Sequence, residues 1–420
     1  MGLFIEARER VAYDRVPEIK ETETQFRRYA GATWNGIEEA SRTKTGFIDD
    51  QIIPTNGEYL LSGETSITNM GLVLPCTIAA SELGLLKESA SESLDKSISE
   101  IEHLPRTKKR FLYTWYDTEN GQGLNNSKKS GDPWPLVSTV DTAWLLAGLM
   151  TARQAYPEFK ERVDKIMRSV NVPFLYDKKK GLFWGVYDGV RNKPTGFHYD
   201  LLASEARMMT YIAMQEYGIP TEAYFKLGRE GVGKSRSESG GKQKLMSSGG
   251  GALEILSPRL LVPEGEWSEL GLNILQKRFV DCMVRGNPKM GSGGYKSPCE
   301  EGGVYGEHGI GEFSLNNPCT GETETPVAAF LGLSIQPEKI PKFLSRIEWE
   351  IPGVYREDLG FAASFNRKNR TASKARLAVD SEMIFLAIAN HVLDGKIQKL
   401  FAPQVEATVK PLLASENYCE

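Results

Sequence analysis

GFHYDLLASEARMMTYIAMQEY, Gly196 to Tyr217, sets a carboxylate at the head of an apolar helical pattern. Leu201, Leu202, Ala206, Met209, Ile212 and Ala213 recur at helical spacing, and Asp200 and Ser204 are residue types that cap a first turn, so the stretch predicts one helix. Glu205 falls about one turn in, near Phe197 and Tyr199 and two positions before Arg207. A carboxyl held among apolar rings has a raised pKa and can keep a proton for a leaving group. A single such Glu reads more readily as a surface residue that complements the helix dipole; recurrence is what gives the acid reading weight.

The same format, a polar head on an apolar body, returns along the chain. Ser62 to Leu85 opens with Thr65, Ser66, Thr68 and Asn69 and stops at Gly84. Leu136 to Tyr156 carries Asp141 in its first turn, LMSSGGGALEILSPRLL carries Glu254, TETPVAAFLGL opens with Glu324 and Pro326, and Leu377 to Leu393 carries Asp380. Six apolar helices, headed near Thr68, Asp141, Glu205, Gly251, Thr325 and Asp380, alternate mostly with amphipathic ones such as Ser89 to Leu104 and Pro157 to Val170. A helix apolar nearly all round must be enclosed, whereas an amphipathic one can form a wall. The pattern predicts an all-α chain, an (α/α)6 toroid of inner and outer helices. Short strands within Lys178 to Lys193 and a Gly-rich loop system over 286 to 322 join the polar heads at one end. Residues 1–420 read as one catalytic domain, with 1–45 a helical segment packing on one end of the core.

Composition narrows the chemistry. The chain has 420 residues, 40% hydrophobic and 25% charged, and a net charge of −4 that offers no basic field for nucleic acid. No run approaches a membrane span and the charged N-terminus lacks an apolar signal core, so a cytoplasmic protein is expected. Cys76, Cys282, Cys299, Cys319 and Cys419 show no close pairing, and the four histidines are scattered, so neither metal nor cofactor is expected. Carboxyls at converging heads together with Trp115, Tyr116, Trp134, Trp184 and Tyr187 describe a carbohydrate cleft, since sugar rings stack on aromatic faces and glycoside hydrolysis uses two carboxyls. Trp144, one turn into its helix, reads as core as readily as platform.

ETSITNMGL, FLYTWYDT, VSTVDTAWLLAGLMTARQAY, HYDLLASEARMMTYIA and AVDSEMIFLAIAN, in this order from about Gly46 to about Phe401, resemble the glucoamylase-like domain of cyclic β-1,2-glucan synthases and of glycoside hydrolase family 144, the endo-β-1,2-glucanases. The resemblance implies an (α/α)6 toroid acting on an oligo- or polysaccharide, a β-1,2-linked glucan, by hydrolysis or transglycosylation. It implies Glu205 as general acid, with Asp141 and Asp380 lining the opposite side and one of them serving as base or nucleophile. Trp115, Asp117, Trp134, Trp184, Tyr199, Arg207 and Glu312 are the expected substrate contacts. Three departures stand out: Ser138 where the hydrolases carry an earlier acid, SSGGGALE without the aromatic of its relatives, and EHGIGEFSLNN, whose Glu312 is the matching acid.

Two other readings compete, a toroid that binds glycans without cleaving them and a nucleotide-binding protein. Gly228 to Ser235, GREGVGKS, matches the P-loop pattern letter for letter. A P-loop needs a buried strand before it and a helix after it; EAYFKL and SRSESGGKQK supply neither pattern, so the segment reads as a Gly/Ser/Lys loop at the cleft rim.

Overall fold

The computed structural model describes residues 22–124, 136–229, 245–285, 299–301, 304–316 and 321–416. Six apolar helices lie within the stretches the sequence marks out: α1 (Ile67–Glu82), α2 (Thr139–Ala155), α3 (Arg207–Glu216), α4 (Ala252–Leu256), α5 (Pro326–Leu331) and α6 (Ala378–Val392). Each is buried on nearly every side, as an unbroken apolar surface requires. They form a closed cycle: α1 packs on α2, α2 on α3, α4 on α5, α5 on α6, and α6 returns to α1. Arg207 closes the remaining joint by donating to the carbonyls of Glu254 and Ile255 on α4.

The outer wall is drawn from the chain in a different order from strict alternation. Ala90–His103 backs α1, Lys160–Ser169 backs α2, Leu272–Arg285 backs α4 and Ile340–Glu350 backs α5. Behind α6 lies Thr22–Ala40, whose Phe26, Tyr29, Trp34 and Ile37 are buried in the wall instead of capping an end of the core. Behind α3, the helix Glu222–Lys226 has only 5 residues, too short to cover α3, and Pro403–Ala414 completes the cover with Val405, Val409, Leu412 and Leu413. Lys396–Phe401 lies across α1, α2 and α6.

Short strands lead into the heads. Glu64–Ser66 enters α1 and pairs with Trp115–Asp117; Leu136–Ser138 enters α2 and pairs with Val186–Asp188; Arg376–Leu377 enters α6 and pairs with Gln51–Pro54. Ser66 and Ser138 then cap their helices, accepting from the amides of Asn69 and Asp141. Where α1 crosses α2, a Cβ on Gly148 would stand 1.8 Å from the carbonyl oxygen of Gly71, so the two backbones touch. No described helix is long and apolar enough to cross a membrane.

Candidate active site

The helix expected over Gly196 to Tyr217 begins later, at Arg207, after a strand at His198–Tyr199 and a turn that holds Glu205. The cause lies in Arg207, whose guanidinium folds back to the Ser204 carbonyl while the Glu205 carbonyl accepts from the Met208 amide, closing a tight turn. Glu205 is thus set just ahead of α3, facing α2. The Trp144 indole nitrogen, one turn into α2, donates to Glu205 Oε2 at 3.1 Å. Burial pushes the Glu205 carboxyl up to about 8, the Trp144 bond and Arg207 charge oppose the rise, and the charges of Asp141 and Glu254 add to it. The group therefore carries a proton at neutral pH.

Asp141, in the first turn of α2, accepts from Thr68 Oγ1 on α1 at 2.8 Å, so the heads of neighbouring helices are joined by a side-chain bond. Burial raises its pKa, and the bonds from Ser138 and Thr68 oppose that. Tyr199 sits against the same group: burial raises its phenol, helped by the charges of Asp141, Glu205 and Glu307, and it is hydrogen-bonded to Ser138. Glu254, at the head of α4, accepts on Oε2 from Ser247 Oγ (2.9 Å), the Gly249 amide (2.9 Å) and the Gly251 amide (3.3 Å).

Across the ring, Asp380 and Glu382 on α6 are 4% and 0% exposed, and none of their four carboxylate oxygens has a hydrogen-bond partner among the described residues. Burial pushes both well above the usual carboxylate range, and the charge of Asp50 adds to it. Asp50 accepts from Asn69 Nδ2 on α1 at 3.0 Å. Tyr305, on a hairpin of Cys299–Glu301 with Val304–Gly306, lies within electrostatic reach of Asp380, Glu205, Asp50 and Glu307.

Of the expected substrate contacts, Trp115 and Tyr199 are half-buried at the head end. Trp184 is also half-buried, with one face covered by His198 at 3.8 Å between ring centres. Asp117 Oδ1 accepts from the amides of Glu119 and Asn120 and thereby builds a turn. Glu312 pairs with Arg278 on the outer wall at 3.2 Å. Arg207 is a correction: it is 0% exposed, its five N–H bonds go to Glu264 and to the carbonyls of Ser204, Glu254 and Ile255, and nothing is left to meet a substrate. Trp134 lies outside the described residues, as does the P-loop-like segment from Glu230 onward. Gly228 itself follows the helix Glu222–Lys226, not a strand.

Sequence reasoning missed Trp144 as a donor, and it missed Asp50, Tyr305 and Glu307. Trp144 carried half a signal, standing one turn below Asp141 on the same helix; the others come from distant parts of the chain, Asp50 near Asp380, Glu307 near Glu254 and Tyr305 near both Glu205 and Asp380, and no local pattern marks them.

Comparisons with known proteins return the relatives that the motifs resemble. Residues 28–188 match a family model described as Protein of unknown function (DUF3131). Over 125 residues, 30% of this chain, the sequence is 33% identical to the cyclic beta-(1,2)-glucan synthase NdvB of Rhizobium meliloti, a match that takes in 4% of that protein's length. The fold is similar to that of an endo-beta-1,2-glucanase from Chitinophaga pinensis solved with sophorotriose and glucose (TM-score 0.70, 16% identity, 93% of this chain and 98% of that one). It is also similar to a putative glucoamylase from Bacteroides uniformis (TM-score 0.72, 17% identity, 94% and 98%). A third likeness is to an endo-beta-1,2-glucanase from Talaromyces funiculosus solved with sophorose (TM-score 0.66, 13% identity, 95% and 93%). At these identities the solved structures show a shared, mostly helical fold.

Proposed function

We propose that the closed cycle of helices is an (α/α)6 toroid and that the chain is a glycoside hydrolase or transglycosylase acting on a β-1,2-linked glucan, working in the cytoplasm. The observation that carries this is Glu205, a carboxyl with a pKa raised to about 8, aimed by a Trp144 indole bond into a group that also holds Asp141, Glu254 and Tyr199. A protonated carboxyl beside a second acid is what cleavage of an acetal asks for. The glucanases that share the fold are solved with sophorotriose, glucose and sophorose, which supports a saccharide ligand and the β-1,2 linkage.

In this reading Glu205 gives its proton to the departing glycosidic oxygen. Asp141 or Asp380 is the second acid, acting on a water or on the anomeric carbon. Asp141 shares the immediate field of Glu205 and is held by two donors; Asp380 stands across the ring with neither oxygen hydrogen-bonded among the described residues.

The test is a linkage screen of the purified protein on linear β-1,2-, β-1,3-, β-1,4- and α-1,4-glucans, read as reducing-end release and as product pattern. Release from the β-1,2 polymer is expected. Binding without release or transfer would leave a glycan-binding toroid, and saturable ATP binding in place of glucan binding would favour the nucleotide reading.

A further inference from the structure

Glu254 stands apart from the other acids of the site in how its two oxygens are used. Three donors land on Oε2, from Ser247, Gly249 and Gly251, and Oε1 accepts from none of the described residues. Its backbone is fixed as well. Arg207 Nη1 bonds the Glu254 carbonyl at 3.0 Å and, through the same nitrogen, the Ser204 carbonyl at 2.9 Å, so one guanidinium ties the turn bearing Glu205 to the turn bearing Glu254. Arg207 is in turn held by both oxygens of Glu264, at 2.7 and 2.9 Å, with both side chains fully buried. Beside Glu254 the chain runs Gly249, Gly250, Gly251. A Cβ on Gly249 would stand 3.3 Å from Oε2 of Glu254 and 3.3 Å from Oε2 of Glu307, so the absent side chain leaves room between two carboxylates.

A carboxylate locked by one oxygen and open at the other is a preorganised acceptor, and its ligand must bring an O–H or N–H. Given the proposed glucan reading, on which this rests, we infer that Glu254 is a substrate-binding residue whose Oε1 accepts a hydroxyl of the glucosyl unit seated beside Glu205. The Arg207–Glu264 pair is its positioning anchor. A charge-assisted bond of this kind, lost without replacement, weakens binding by roughly ten- to a hundredfold.

The experiment separates this inference from the reading beneath it. Calorimetric titration with a linear β-1,2-glucan pentaose is performed on Glu205→Gln, in which turnover is expected to be at least ~10²-fold slower, and on the Glu205→Gln, Glu254→Gln double variant. In the double variant the amide oxygen takes the three donors and the NH2 turns to the open side, so a donor replaces the acceptor and affinity falls at least tenfold. Glu205→Gln, Gly249→Ala keeps every charge and is a second probe, because its methyl crowds Oε2; a smaller loss is expected. Equal affinities in all three proteins overturn the inference while leaving the glucan reading standing. No binding by Glu205→Gln itself overturns both.

Discussion

Glu264 and Glu205 lie on either side of Arg207, and the protein treats them in opposite ways. Glu264 accepts from Arg207 twice, from the Tyr211 hydroxyl at 3.0 Å and from Gln276 at 2.6 Å. Burial favours its neutral form, yet the Arg207 charge and these bonds outweigh burial and hold its pKa below the ordinary value. Glu205 is given one indole N–H, and burial wins. Both meet a desolvation penalty; what differs is the paired charge of Arg207, which Glu264 has and Glu205 lacks, together with the number of donors that offset burial. Depth alone therefore does not mark a working acid in this molecule. A deep acid fully supplied with donors is scaffold, and one left short of them is available for chemistry.

Breaking the scaffold side should have the largest effect. Glu264→Ala leaves Arg207 as an uncompensated buried charge, at a cost of about 3 to 5 kcal/mol in denaturant unfolding, whereas Arg207→Met with Glu264→Leu removes the charge and restores part of it, the carbonyls of Ser204, Glu254 and Ile255 still losing their donor. If the single and double variants unfold alike, the pair is not what closes the ring between α3 and α4.

On the working side, Glu205→Gln keeps shape and removes the proton, so turnover on a glucan with a poor leaving group should fall by at least ~10²-fold with the fold intact. Near-normal turnover would return Glu205 to the scaffold. Asn at Asp141 or at Asp380 should also impair turnover, unequally. External azide should rescue one of the two, and formation of a glycosyl azide identifies the base or nucleophile. If neither substitution matters, the convergence of the helix heads has no chemical meaning.

A subtler contrast concerns pH. Glu205 in the folded protein binds its proton up to about 8, against an ordinary value of 4.5, so the folded state holds more protons than the unfolded one between these limits. Its contribution to stability is present below about pH 4.5 and is lost as pH rises towards about 8. Thermal melts should show Glu205→Gln gaining on the parent across that window, and turnover should fall as pH rises through about 8. A flat difference between the melts would mean Glu205 is not buried as described. The smallest effect is expected from Lys234→Ala, which should leave glucan cleavage unchanged. The chain before Gly228 is a helix, so it lacks the buried strand from which a P-loop presents its amides. ATP binding abolished by that substitution would favour the nucleotide reading over the glucan one.

The six inner helices were legible because a stretch apolar on every face has no other place to go, as Ile67 to Ala80 and Ala378 to Ala389 show. Asp141 was legible for a local reason, sitting three residues after a capping serine. The beginning of α3 was not, since its turn depends on where the Arg207 side chain goes, and that is decided by Glu264, 57 residues away. The same distance explains why Arg207 reads as a substrate contact in sequence: next to an acid, an arginine looks functional until its own partner is seen. The outer wall was misordered because backing α3 and α6 falls to helices from opposite ends of the described chain, Pro403–Ala414 and Thr22–Ala40.

The crossing of α1 and α2 carries a further consequence. Gly71 packs against the backbone of Trp144 and Leu145, and Gly148 against Gly71 itself. Above that crossing stand Thr68 and Asp141, and Trp144 reaches from it to Glu205. One methyl group at Gly148 would wedge the helices apart and shift both polar contacts together, though it touches neither of them. In a random mutagenesis screen, inactive clones should therefore gather at two chemically inert positions, and a glycine-to-alanine exchange there would resemble loss of an acid while every carboxylate was still in the chain.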